Sequence, residues 1–114
     1  MKYDQLDDDT IRLFAEILFI LNNMFSYSEI EARELINKYL SKYYSESEED
    51  LLYHEGSYRA AGIIHFTAGL LKDRKGLRDY LSQGMPGNKR EAADLLVDFN
   101  RNETLPKILG GNAE

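Results

Sequence analysis

The chain is predicted to be all-α, a compact bundle of five or six helices including one short helix, and three observations lead there. Apolar residues recur at helical spacing along most of the 114-residue chain. Strand-like alternation is nearly absent. Capping pairs and glycine breaks divide the apolar pattern into helix-sized pieces.

The first helix is expected from Asp9 or Thr10 to Phe25. Ile11, Leu13, Phe14, Ile17, Leu18, Ile20, Leu21 and Met24 cover most of its surface, and the polar strip narrows to Arg12, Glu16 and Asn23. Such a helix belongs at the centre of the bundle. Asp7, Asp8 and Asp9 stand at its start, where carboxylates oppose the positive end of the helix dipole.

The second helix is expected over Glu29 to Tyr43, opened by Ser28 and Glu31 at capping-box spacing. Ala32, Leu35, Ile36, Tyr39, Leu40 and Tyr43 share its apolar face, while Ile30 falls among the polar residues of the other. A third, short helix should run from Glu48 to His54 and end at Gly56. It crowds Glu48, Glu49, Asp50, Tyr53, His54 and Glu55 around only two leucines, so it has more to display than to bury.

The fourth helix should begin near Ser57 and reach about Leu71, burying Ile63, Ile64, Phe66, Leu70 and Leu71, with Tyr58, Gly62, His65 and Gly69 on the opposite side. A fifth is expected over Arg74 to Ser82, before the break at Gly84-Met85-Pro86-Gly87. Asn88 and Glu91 repeat the capping spacing ahead of a sixth, which would bury Ala92, Leu95, Leu96 and Phe99. Residues 1–104 are thus expected to form one domain, and residues 105–114 a frayed tail.

Fourteen Lys and Arg against twenty Asp and Glu give a net charge of -6, which argues against a nucleic-acid partner because phosphate binding rests on clustered cations. A basic protein partner suits that balance. The absence of cysteine excludes disulfides and thiolate chemistry and fits a reducing cytoplasm. No basic patch followed by an apolar run opens the chain, and the apolar stretch Leu13 to Leu21 carries Glu16, so neither secretion nor membrane insertion is expected. The sequon at Asn102-Glu103-Thr104 should then go unused.

Chemistry-bearing motifs are few. His54, Tyr58 and His65 would share a face, with Glu55 as an oxygen ligand, only if one helix ran through Gly56; the spacing matches no established metal signature. A metal-dependent enzyme is accordingly the least favoured class, and no cofactor and no catalytic residue is expected. Asp98 to Glu103 begins like a calcium loop but lacks the sixth-position glycine and has Leu109 in place of the bidentate glutamate. There is no phosphate-cradling G-x-x-x-x-G-K and no G-x-S-x-G elbow.

At Asp50-Leu51-Leu52-Tyr53 the chain resembles the small immunity proteins of colicin-type nucleases, over roughly residues 10–71. The shared order is a long helix, a capped acidic helix, a short helix carrying Asp-Leu-aliphatic-Tyr, and a further helix. The resemblance implies a bacterial toxin inhibitor whose second helix sets specificity and whose third supplies hot-spot residues to a basic nuclease domain. It places Asp50 and Tyr53 at the family's third-helix acid and first tyrosine, and Glu29, Arg33 and Ile36 at variable positions of the second helix. His54 and Glu55 stand where the family has a second tyrosine and a proline. With Ile30 as an exposed apolar anchor and Glu49 as a further carboxylate, the expected partner-binding set is Glu29, Ile30, Arg33, Ile36, Glu49, Asp50, Tyr53, His54 and Glu55. The alternative is a helical adaptor or regulatory homodimer joined through the Tyr58, Gly62 and Gly69 side; the expected state is a monomer or weak homodimer.

Overall fold

A computed structural model describes residues 8–43 and 45–101. The expected tail at 105–114, the domain limit at 104, the sequon, Leu109 and Asp7 lie outside the described residues. Within them the chain is helical, without a strand: α1 Asp8–Met24, α2 Glu29–Tyr43, α3 Glu46–Ile64, α4 Leu77–Asp79 and α5 Lys89–Arg101. A π-helical turn, His65–Gly69, prolongs α3, and α4 lies between a 3-10 turn, Arg74–Gly76, and a second π-helical turn, Tyr80–Gly84.

The all-α bundle is as expected, with α1 at its centre. Phe14, Ala15, Ile17, Leu18, Ile20 and Leu21 are all fully buried. All but Ala15 belong to one core cluster with Ile36, Tyr39 and Leu40 of α2, Leu52, Ala60, Ile63 and Ile64 of α3, and Ala92 of α5. The α5 residue Phe99 is also buried, its ring centroid 4.6 Å from that of Phe19. A helix apolar on nearly all sides has to be surrounded, and three neighbours accomplish that.

Local signals set the turns. Ser28 Oγ accepts from the Glu31 N–H at 3.1 Å and Glu31 Oε1 accepts from the Ser28 N–H at 2.9 Å, closing the capping box at α2. Asn88 Oδ1 caps α5 through the Glu91 N–H at 2.9 Å. The turn after α1 is short, so α2 runs antiparallel to α1. α3 then starts beside the end of α2, where Tyr39 donates to Glu48, and finishes at the opposite end of α1, where His65 meets Phe25 and Tyr27. α5 returns antiparallel to α1, bringing Asn100 to Arg12 and Glu16. The long elements therefore alternate in direction, as in up-and-down bundles.

Two boundaries and the orientation of Glu48 differ from expectation. The third helix begins at Glu46 rather than Glu48 because Ser45 caps it, its hydroxyl accepting from the Glu48 N–H at 3.2 Å. Glu48 points inward instead of outward: it accepts from Tyr39 and from Arg74, the latter at 2.5 Å, while Arg74 lies over the Tyr43 ring. Burial, then this carboxylate, push the Tyr39 hydroxyl well above its usual range. Leu70 and Leu71 were expected in the core, yet both are exposed, because the helix closes through a π turn and Leu71 leaves it with φ +58°. The break at Gly56 is present as a backbone kink of φ +86° and ψ +166°, with helix on both sides.

Candidate functional site

The kink at Gly56 shapes the most suggestive concavity of the molecule. Its backbone lies in a region that essentially only glycine occupies, and nothing stands within 4 Å of where a Cβ would be. Glycine is therefore needed there for conformation, not for room. The kink separates the acidic limb of α3 from the limb that packs into the core, leaving a groove of about 320 Å³ against α1. Asp9, Arg12, Leu13 and Glu16 of α1 line one wall; Tyr53, Gly56 and Ser57 line the other.

Hydrogen bonds hold this groove in shape. Thr10, almost fully buried, donates to Glu49 Oε2 at 2.6 Å and shares a hydrogen bond of 3.0 Å with the Tyr53 hydroxyl. The Ser57 hydroxyl donates to Glu16 at 2.5 Å instead of capping a new helix, and Asn100 Nδ2 donates to the second oxygen of Glu16 at 3.1 Å. Arg12 is turned toward Asn100 Oδ1 at 2.8 Å. Tyr53 nonetheless keeps 43% of its surface exposed, and Asp50 and His54 are exposed on the same short limb. The result is an anchored aromatic ring bordered by carboxylates, an arrangement suited to a cationic side chain approaching the ring.

The nine expected binding residues do not form one face. Ile36 is fully buried and belongs to the core; its place on the apolar stripe of α2 outweighs the role that the immunity-protein likeness implied for it. Glu29 and Ile30 follow the end of α1, whereas Tyr53 touches Thr10 at its start. The 14 steps from Thr10 to Met24 span about 21 Å of helix, so the two groups sit at opposite ends of the bundle. Arg33 is half-buried and paired with Glu29 at 3.0 Å, and Glu55 is half-buried and paired with Arg59 at 2.6 Å. Glu49, Asp50, Tyr53 and His54 remain together beside the groove. Asp9 and Glu16 were missed as site residues, because nothing in one sequence tells which side of α1 faces the limb at Tyr53.

The two histidines are divided by Gly56 and face different surroundings. His54 is exposed; His65 is half-buried among Phe25, Tyr27 and Tyr80, with ring centroids 5.2, 5.6 and 6.1 Å away. His65 Nδ1 and the Tyr27 hydroxyl share a hydrogen bond of 2.6 Å. Burial lowers the His65 pKa and, with the neighbouring phenols, pushes Tyr80 up to about 12, so both rings are held neutral. Among the described residues no group of three or more His, Cys, Asp or Glu is placed to hold a metal ion.

The expected dimer side is also redirected. Gly62 is covered by Met85 and Leu81 of its own chain, Tyr58 donates to the Pro86 carbonyl at 2.8 Å, and Gly69 lies against the Tyr27 hydroxyl. No helix among the described residues is long and apolar enough to cross a membrane. No family model, curated protein or solved structure matches this chain.

Proposed function

We propose that this chain is a small acidic inhibitor that binds and neutralises a basic bacterial protein toxin in the cytoplasm, using the α1–α3 groove. The observation that carries the reading is Tyr53, half exposed yet tied to Thr10, lining one groove with Asp9 and Glu16 and following the exposed Asp50 by three residues on the same limb. Nucleases suit such a partner because they hold nucleic acid on cationic surfaces. A net charge of -6 would steer that surface onto this one before short-range contacts form. The partial likeness at Asp50 and Tyr53 to nuclease immunity proteins supports the same reading. The binding set becomes Asp9, Glu16, Glu49, Asp50, Tyr53 and His54.

Coexpression with the product of the neighbouring reading frame tests the proposal, with host survival as the measure. Tyr53→Ala should weaken binding by about 2 kcal/mol, roughly thirtyfold, with little change in melting temperature. Asp50→Lys should slow association most at low ionic strength. If no toxicity is available to relieve, or Tyr53→Ala only unfolds the chain, the proposal fails.

A further inference from the structure

The end of α1 is closed by a serine where glycine is the usual occupant. Ser26 has φ +66°, and the closing bond is made by backbone alone, the Tyr27 N–H reaching the Leu21 carbonyl at 3.3 Å. Serine is strained in that conformation, and among the described residues its hydroxyl has no hydrogen bond to account for it. What it does have is a cavity of about 310 Å³, which Ser26 lines together with Met24, Phe25, His65, Tyr80 and Pro86. That volume is within the range of small-molecule sites.

Both π-helical turns open onto this cavity, and such turns are frequent at functional sites. His65 begins one of them, and Tyr80 and Gly84, which also lines the cavity, begin and end the other. The His65 ring packs against Phe25 and Tyr80, and its Nδ1 is taken by the Tyr27 hydroxyl at 2.6 Å. The phenol is the donor in that pair, since among the described residues it has no other hydrogen-bond acceptor. The proton of the neutral imidazole is then on Nε2. The lining residues thus bring aromatic rings and three groups able to donate a hydrogen bond: His65 Nε2–H and the hydroxyls of Ser26 and Tyr80.

Every residue lining the cavity is uncharged at neutral pH. The charge that approaches it is negative: a Cβ at Gly87 would touch both the Glu91 carboxylate and the Met24 side chain. An anion would find no cation to pair with, and an ammonium group would leave the Nε2–H without an acceptor. We infer that this cavity binds a small, uncharged aromatic molecule whose amide or carbonyl oxygen accepts from His65 and Ser26. It lies at the opposite end of α1 from the groove at Tyr53, so this binding and toxin neutralisation are independent and each stands or falls alone.

Titration of the isotope-labelled full chain with benzamide, followed by amide chemical shifts, tests the inference. Saturable shifts centred on Ser26, His65 and Gly84 are expected, with a dissociation constant of about 1 mM or tighter. Benzoate and benzylammonium match benzamide in size but differ in charge, and each should bind at least about tenfold more weakly. Ser26→Gly should weaken benzamide at least about threefold, while its melting temperature stays level or rises because glycine accepts the backbone angle. His65→Phe keeps a ring in place but removes the donor, and it should weaken benzamide by a similar factor. No saturation by about 10 mM benzamide, shifts centred elsewhere, affinity unchanged in both variants, or either charged probe binding as tightly as benzamide would overturn the inference.

Discussion

At the scale of single residues, the side chains that set this molecule's behaviour are polar groups placed where apolar ones would pack more simply. His65 is the clearest case. Its ring lies among Phe25, Tyr27 and Tyr80, and burial holds its pKa below the ordinary 6.5. Above that value the imidazole is neutral in both folded and unfolded chains and costs nothing. As pH falls below 6.5 the unfolded chain takes up a proton that the folded one resists, so stability is present above this range and is lost on acidification. His65→Phe keeps an aromatic ring in place and removes the titration. Urea unfolding at about pH 7.5 and about pH 5.5 should show a larger loss of stability for the wild type than for the variant. An equal loss in both would mean that carboxylates alone set the acid limit.

At the scale of elements, α3 shows what a glycine contributes when its backbone angles are forbidden to other residues. Gly56→Ala introduces no side-chain clash, since no atom lies within 4 Å of the new Cβ. It should still destabilise the fold by about 1–3 kcal/mol, the cost of holding a non-glycine residue in that region. Thermal melting measures this, and an unchanged melting temperature would show that the kink relaxes into a continuous helix. The break was legible in the sequence because Gly56-Ser57 interrupts an otherwise helical run, as were the caps at Ser28 and Asn88, whose residue types and spacing encode their hydrogen bonds. The π turns and the inward Glu48 were not legible. A π turn differs from an α-helix by one residue of register, and Glu48 is drawn inward by partners that lie 9 and 26 residues away. The same limit applied to the site: the acidic-aromatic limb could be read from Asp50 and Tyr53, but the α1 wall of its groove depends on how two helices face each other.

At the scale of the whole molecule, stability is distributed unevenly around α1. Three helices surround it, yet α5 sends only Ala92 and Phe99 into the interior, leaving Val97 53% exposed. Beyond these, Leu96 packs only partly buried against the core, and the polar attachment of Asn100 with Arg12 and Glu16 lies close to water. Helix α3 instead brings Leu52, Ala60, Ala61, Ile63 and Ile64 to the core, and α2 brings Ala32, Leu35, Ile36, Tyr39 and Leu40. α5 should therefore be the element that opens first, at a free energy below that of global unfolding. Phe99→Ala isolates this, because it removes the one large buried ring of α5 and its contact with Phe19. Deleting a buried phenylalanine typically costs about 3–5 kcal/mol. Here much of that loss should appear as detachment of α5, since Ala92 and the partly buried Leu96 are the apolar anchors that remain. Hydrogen exchange should then show the amides of residues 89–101 losing protection in Phe99→Ala, while those of α1, α2 and the core limb of α3 exchange nearly as slowly as in the wild type. Uniform loss of protection across α1, α2, α3 and α5 would instead make α5 an integral part of one cooperative unit. The groove at Tyr53 would then depend on α5 for more than the Asn100 side chain that steadies Glu16.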